Sequence, residues 1–373
     1  MRGVILVGGE GTRLRPLTWR RPKAMTPILG RPFLEHMLVF LRDQGVDEIM
    51  LALGHQPDAI QRYFGDGGRW GVHLSMAVEP QPLGSGGAIR QFRERLPEPF
   101  FAFNGDILTN VRLAPMIARH RETEAAVSIF FIAVDDPSMF GVARLDGDER
   151  VLEFVEKPPP GTAPSNWANA GVWLFQPEVL ARVPEVQRSM VETELFPELI
   201  AAGERVQAFC ESCFWVDIGT PARYLDAQLR LLAEPALRIL PLRPWPGLAG
   251  SEALSAADDP AALPPPVIAP GVELDGPVLL GSGVQIAARA RLIGPLAIGD
   301  GCRIEAGAVL ERAVLWEECT VGAGAHLSGS VLADRCRIGP GAELDVIVAG
   351  QAAAVAAGTR LSGRAIEPDE AVI

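Results

Sequence analysis

The sequence predicts two unlike folds in tandem: an α/β domain built on a mostly parallel sheet, then a coil of very short stacked strands. Three observations carry this. Strand-like apolar runs alternate with amphipathic stretches through about residue 233. A segment rich in Pro, Ala and Gly, residues 241–266, breaks that alternation. Beyond it, aliphatic residues recur at a fixed interval.

The strand-like runs of the first part are Arg2–Val7, Glu48–Leu53, His73–Val78, Phe100–Phe103 and Ala126–Val134, with Val151–Val155 and Val172–Phe175 further on. Between them lie amphipathic stretches at Pro32–Gln44, Ser85–Leu96 and Leu113–Glu122. Alternating units of this length give a Rossmann-like, mostly parallel sheet covered by helices. Phosphate ligands of such sheets sit at the carboxyl ends of the strands. Thr220-Pro221 reads as an N-cap followed by Pro at the first helical position, opening a helix through about Ala233. The expected domains are 1–240 and 267–373, with residues 241–266, ending in Pro264-Pro265-Pro266, as the linker.

In the second part Ile268, Leu274, Leu280, Ile286, Leu292, Ile298, Ile304 and Leu310 fall every six residues. The rhythm then becomes a repeat of 17, in which 298–314, 315–331 and 332–348 align without gaps. One column of that repeat is Cys302, Cys319 and Cys336, and another is Gly307, Gly324 and Gly341. A six-residue period is too short for helix pairs and suits one short strand per face of a triangular coil. The pattern resembles the hexapeptide repeats of left-handed parallel β-helices, over about residues 267–350. Open coil ends and flat faces need a cap or a partner, so self-association is expected here, with the first domain able to work without the repeats.

Bulk properties exclude several classes. A net charge of −12 argues against nucleic acid as a partner. The chain enters a strand at once, without a signal-peptide pattern, and has no apolar run long enough to span a bilayer. Five cysteines make an odd count for a disulfide framework. A soluble, cytoplasmic protein is expected.

Residues 8–27 are the most informative stretch. Gly8, Gly9 and Gly11 follow the first strand and let a polyphosphate approach main-chain N–H groups. Arg13 and Lys23 add positive charge beside that cradle. Gly8, Gly9, Gly11, Thr12, Arg13, Leu14, Pro16, Leu17, Thr18, Pro22 and Lys23 resemble the signature of the sugar-1-phosphate nucleotidyltransferases, also called sugar-nucleotide pyrophosphorylases. Val7 stands where that family usually has Ala, a conservative departure.

Asn104-Gly105-Asp106 and Trp215-Val216-Asp217-Ile218-Gly219 are good turn and helix-cap chemistry by themselves. Both resemble the family's metal-binding motifs, which implies that Asp106 and Asp217 hold Mg²⁺. Glu156-Lys157-Pro158 is otherwise a solvated charge pair before a turn. The resemblance implies that Lys157 contacts the sugar 1-phosphate and Glu156 the sugar hydroxyls, with Gly141 and Asn169 in less specific sugar-contacting segments. The nucleotide-binding set it implies is Leu6, Gly8, Gly9, Gly11, Thr12, Arg13, Glu79 and Gly84.

Pro82-Leu83-Gly84-Ser85-Gly86-Gly87 resembles the base-binding loop in the form found in guanylyltransferases. Glu79 stands where uridylyl- and thymidylyltransferases commonly place Gln. A carboxylate only accepts, and guanine offers two adjacent donors. GTP is therefore favoured, unless main-chain groups read the base.

The reaction implied is NTP + sugar 1-phosphate → NDP-sugar + pyrophosphate, with Arg13, Lys23, Asp106 and Asp217 as its catalytic residues. The specific expectation is GDP-mannose from GTP and mannose 1-phosphate; the alternative is thymidylyl or uridylyl transfer to glucose 1-phosphate. A non-catalytic relative should lack Arg13, Lys23, Asp106 or Asp217, and all four are present. Two minor signals remain. Cys210 and Cys213 have metal-ligand spacing but no second pair nearby, and residues three apart on a strand face opposite ways. His326 lies in the repeats, where some hexapeptide proteins use a His for acyl transfer.

Overall fold

The computed structural model describes residues 1–185, 187–248 and 252–373. These form two compact units: Met1–Glu10 with Met37–Val216, and Gly11–His36 with Asp217–Ile373. The second unit thus combines most of the glycine-rich signature with the repeats. Among the described residues no helix is long and apolar enough to cross a membrane.

Among the described residues the first unit is built on a nine-stranded mixed sheet. Its strands are β1 (Arg2–Val7), β2 (Glu48–Leu53), β3 (His73–Val78), β4 (Phe100–Asn104), β5 (Val127–Ala133), β6 (Gly141–Leu145), β7 (Val151–Glu156), β8 (Trp167–Phe175) and β9 (Val206–Cys210). The main path runs β7-β6-β8-β4-β1-β2-β3, with β5 on β8 and β9 on β5. From β3 to β4 every pairing is parallel. Beyond β4 the chain returns antiparallel through β8. Strand β4 is buried on both faces, which is why Phe100–Phe103 is a continuous apolar run rather than an alternating one. Phe100 stacks on Phe175 at 5.5 Å, and Trp173 and Phe175 both meet the Phe196 ring. Fully burying one such ring stabilises the fold by roughly 1.5–3 kcal/mol.

Two boundaries differ most from expectation. Strand β8 begins at Trp167, well before Val172, and carries a bulge between Asn169 and Trp173. The helix from Gly84 stops at Arg90 and gives way to a 3₁₀ turn at Arg93–Arg95. There Phe92 N donates three residues back, to Ile89 O, and Gln91 Nε2 donates to Ala88 O, so the last turn tightens.

In the second unit three sheets stack as a left-handed β-helix, with eight, seven and six strands among the described residues, parallel throughout except for Arg243–Pro244. The columns Leu280/Ile298/Leu315/Leu332, Ile286/Ile304/Val321/Ile338 and Leu292/Leu310/Leu327/Leu344 are in register and buried. The step from 18 to 17 residues has a local cause. Leu292 and Ile298 are six apart around one corner, whereas Leu310 and Leu315 are five apart around the same corner of the next coil. Cys302, Cys319 and Cys336 are buried and donate their thiols to Trp316 O, Ala333 O and Gly350 O of the following coil.

The β-helix runs past residue 350 to Val372. Small Ala349 interrupts the aliphatic column that Ile366 resumes, which blurs the period. The Pro-rich segment also forms strands. Arg243–Pro244 pairs antiparallel with residues 254–255, and Ala253–Ser255 adds parallel to Val278–Leu280. Trp245 is buried against the coil's core and donates Nε1 to Leu280 O at 2.8 Å. An apolar coil end needs covering, and Trp245 with Ala253 covers it. Residues 249–251 of the expected linker lie outside the described residues.

Candidate active site

In the first unit the carboxyl edge of the parallel strands gathers half of the expected site. Strand β1 ends at Val7 and leads into Gly8 and Gly9. A Cβ on Gly54, just past β2, would lie 2.4 Å from Gly8 O, so only glycine lets the two chains approach. Past β4, Gly105 donates its amide to Leu6 O at 3.0 Å, and a Cβ there would lie 2.3 Å from the same oxygen. This contact folds the Asn104-Gly105-Asp106 turn against β1, leaving Asp106 half-buried at the edge. Glu79 follows β3. Both its carboxylate oxygens lie 3.7 Å from where a Gly8 Cβ would be. Burial pushes the Glu79 pKa up, opposed by the Leu83 amide that donates to Oε2 at 3.0 Å. Leu6, Gly8, Gly9, Glu79 and Asp106 therefore share one edge.

Gly84 has φ +71°, and a Cβ on it would lie 2.5 Å from Ser189 O. Gly86 donates its amide to that carbonyl at 2.8 Å. The glycines of this loop serve close packing on Ser189.

The expected sugar-phosphate residues fall in the same unit. A Cβ on Gly141 would lie 2.6 Å from Glu156 Oε2, which makes these two neighbours. Lys157 Nζ is 3.2 Å from Glu156 Oε1, and the lysine side chain is 62% exposed, so it is free to swing toward an anion. Asn169 has its Oδ1 engaged by Gly171 N at 3.1 Å and Trp173 Nε1 at 3.0 Å, holding the β8 bulge. Sequence reasoning missed Glu192. It accepts from Ser85 Oγ at 2.6 Å. Burial holds its pKa above the usual carboxylate range; the Ser85 hydrogen bond and Lys157 oppose this, and nearby Glu156 adds to it. The only sequence cue is two glutamates in the turn Val191–Leu195; the partner Ser85 is 107 residues away.

In the second unit, Gly11 with φ 65° opens a 3₁₀ turn, Thr12–Leu14, that presents Arg13. Thr18 Oγ1 donates to Gly11 O at 2.8 Å and closes this loop on itself. Lys23 lies on a second 3₁₀ turn, Lys23–Met25, tied by Thr26 Oγ1 to Lys23 O at 2.7 Å. Asp217 precedes the helix Pro221–Ala233, whose N-cap Thr220 accepts from Arg223 N as its sequence predicts. Arg223 Nη1 is 2.9 Å from Asp217 Oδ2, and Lys23 Nζ is 4.0 Å from Oδ1. A Cβ on Gly219 would lie 2.7 Å from Asp217 Oδ1 and 3.0 Å from Arg13 Nη2. Gly11, Thr12, Arg13, Lys23 and Asp217 thus belong to one unit, with Arg13 and Asp217 meeting at Gly219.

Among the described residues no group of three or more His, Cys, Asp or Glu could hold a metal by itself. The carboxylates of Asp106 and Asp217 are hard oxygen donors, the type that binds a hard divalent cation together with substrate phosphate oxygens and waters. Each carboxylate, taken in its own unit, is of the donor type that fits such an ion. Cys210 and Cys213 are half-buried free thiols, and burial pushes Cys210 up to about 12. His326 is exposed on one β-helix face, in register with Glu343 and, one coil on, Arg360.

Residues 2–234 match the family described as nucleotidyl transferase. The chain belongs to that family. The transferase also matches, over residues 274–372, the family described as GMPPB C-terminal domain. It is 34% identical to mannose-1-phosphate guanylyltransferase of Mycobacterium tuberculosis, covering 83% of this chain and 82% of the relative. It is 33% identical to UTP–glucose-1-phosphate uridylyltransferase of Synechocystis, covering 85% and 83%. Among solved structures it resembles HddC from Yersinia pseudotuberculosis complexed with GMP-PN, with a TM-score of 0.53 and 29% identity over 61% of this chain and 97% of that one.

Proposed function

We propose that the transferase makes GDP-mannose and pyrophosphate from GTP and mannose 1-phosphate. The observation that carries the chemistry is the meeting of Arg13 and Asp217 at Gly219, with Lys23 Nζ 4.0 Å from the same Asp217 oxygen. Two cations beside a carboxylate suit a polyphosphate and its counter-ion. Support for guanine and mannose comes from the Mycobacterium tuberculosis relative and from HddC, which is seen with a guanine nucleotide.

A phosphate oxygen of the sugar phosphate, already ionised, attacks the α-phosphorus. The new P–O bond forms as the bond to the β-phosphate breaks, and pyrophosphate leaves with the electron pair. No proton transfer and no enzyme-bound intermediate is needed, so catalysis is positioning and charge stabilisation. Main-chain N–H groups of Gly8, Gly9, Gly11 and Thr12 receive the triphosphate. Arg13 stabilises charge growing on the departing pyrophosphate, and Lys23 contacts the phosphates in flight. Lys157 leaves Glu156 to orient the incoming phosphate, and Glu156 then takes sugar hydroxyls with Asn169 and Gly141 beside it. Glu79 accepts from the guanine edge, with Leu6 and Gly84 lining the same nucleotide. Asp106 and Asp217 would supply carboxylate oxygens to Mg²⁺, which when bound would neutralise phosphate charge.

The test is a pyrophosphate-release screen of GTP, ATP, UTP, CTP and dTTP against several sugar 1-phosphates. GTP with mannose 1-phosphate should give the highest kcat/KM. One observation favours a second reading, the similarity to the Synechocystis uridylyltransferase. A preference for UTP with glucose 1-phosphate would replace the first reading with that one.

A further inference from the structure

We propose that the β-helix positions the phosphate-binding loop for catalysis, through a clamp in which Asp334, Trp316 and Tyr224 hold Arg21 and Pro27. The inference rests on the assignment of Arg13 and Lys23 to the phosphates. All the residues of the clamp lie in the second unit.

Lys23 sits between two tied points of its loop. Two residues before it, Arg21 Nη2 is 2.7 Å from Asp334 Oδ2, and the guanidinium lies over the Trp316 ring at 5.0 Å. Four residues after it, Pro27 O accepts from Tyr224 Oη and from Gln228 Nε2. The two ties join, because Trp316 Nε1 donates to Tyr224 Oη at 2.9 Å. Gln228 extends the second tie by accepting from Leu29 N at 2.7 Å.

Burial separates this clamp from ordinary surface pairing. Tyr224, Trp316 and Asp334 are all buried. Nearby, Trp19 Nε1 donates to Glu367 and Arg20 pairs with Asp369, but these side chains are exposed, and such pairs hold a loop weakly. The repeat makes the same distinction. Trp316 occupies a 17-residue column whose other members are Gly299, Ala333, Gly350 and Glu367. Three of those four are Gly or Ala and the fourth is an exposed Glu, so nothing in the coil requires an indole. The ring is accounted for by what it touches, the Tyr224 ring at 6.3 Å and Arg21.

Asp334, Trp316 and Tyr224 are therefore positioning residues that act through the loop. Reacting groups held slightly out of place lose rate steeply. This bears against a catalytic domain that works without the repeats, since truncation near residue 241 removes Trp316 and Asp334.

The experiment uses the full chain. Trp316→Phe deletes the donor and keeps the ring, and Asp334→Asn weakens the hold on Arg21. Both should lower kcat roughly 10-fold or more while leaving nucleotide KM within about 3-fold, and both should speed amide exchange in residues 12–28. The exchanged pair Arg21→Asp with Asp334→Arg should recover most of the kcat lost in Asp334→Arg alone. Unchanged kcat in folded Trp316→Phe and Asp334→Asn overturns the clamp; if Asp334→Asn does not fold, Trp316→Phe decides alone. Lys23→Ala separates the two levels. Full activity in that variant defeats the site assignment itself. An inactive Lys23→Ala beside fully active clamp variants defeats only the clamp.

Discussion

Lys23 Nζ lies 4.0 Å from Asp217 Oδ1, and only 12% and 13% of the two side chains are exposed. With Arg223 Nη1 2.9 Å from the other oxygen, the carboxylate is shared by two cations. A triphosphate is a stronger partner for Lys23 than a shared carboxylate is, so substrate and lysine are expected to rearrange together. Asp217→Asn should cut kcat at least ~10²-fold, the scale of losing direct charge stabilisation in the transition state. Asp106→Asn should do the same by the same argument. Steady-state kinetics at saturating Mg²⁺ decide it, and near-normal turnover in both variants removes the metal assignment.

Gly219 gives a sharper test of the same corner. Its absent Cβ would meet Asp217 Oδ1 at 2.7 Å and Arg13 Nη2 at 3.0 Å, both at the ends of flexible side chains. The fold can absorb a methyl group there by moving those ends, and the chemistry cannot. Gly219→Ala should therefore stay within about 1 kcal/mol of wild-type stability and lose roughly 10–10²-fold in kcat. Thermal melts and kinetics on one preparation check both halves. Wild-type kcat would mean that Arg13 and Asp217 need not keep this arrangement.

How far the sequence reaches depends on the range of the interaction. Strands Arg2–Val7 and Glu48–Leu53 appear where the apolar runs place them, since a strand between covered faces leaves a local record. The helix behind Thr220-Pro221 is legible for the same reason, a cap being local chemistry. The pairing of Ser85 with Glu192 and of Trp316 with Tyr224 is not, because the partners lie 107 and 92 residues apart. Gly84 shows a third case. Its need for glycine is visible in sequence, but its cause, Ser189 O, is supplied by a distant segment. The Pro-rich stretch 241–266 reads as a connector because nothing local marks Trp245 as the cover of a coil end.

Base choice turns on Glu79, set against Gly8 at the sheet edge. One of its oxygens already accepts from Leu83 N. Glu79→Gln should shift discrimination between GTP and UTP or dTTP by about 1–3 kcal/mol toward the pyrimidines, the cost of mismatching a buried hydrogen-bonding edge. The check is kcat/KM for each nucleotide with one sugar phosphate. An unchanged ratio assigns base reading to other groups of the loop.

Two buried histidines should give the protein an acid-sensitive fold. His120 donates from Nδ1 to Ser128 Oγ at 2.8 Å and accepts at Nε2 from Gln176 at 3.1 Å, so a second proton would face a donor. Burial, with Arg121 adding to it, pulls the His120 pKa down to about 4. His36, bonded through Nε2 to Ile28 O at 2.9 Å, is pulled down to about 4 by burial despite that carbonyl. In both, the folded value lies below the ordinary 6.5, so the unfolded chain takes up the proton first as pH falls. Their stabilising contribution is complete above about pH 6.5 and drains away toward pH 4. Each ring can contribute up to about 1.4 kcal/mol of stability per pH unit across that window. His120→Gln keeps a neutral hydrogen-bonding side chain and removes one titration. Its Tm should fall less steeply than wild type between pH 6.5 and pH 4, and parallel Tm curves would show that His120 takes up its proton without unfolding.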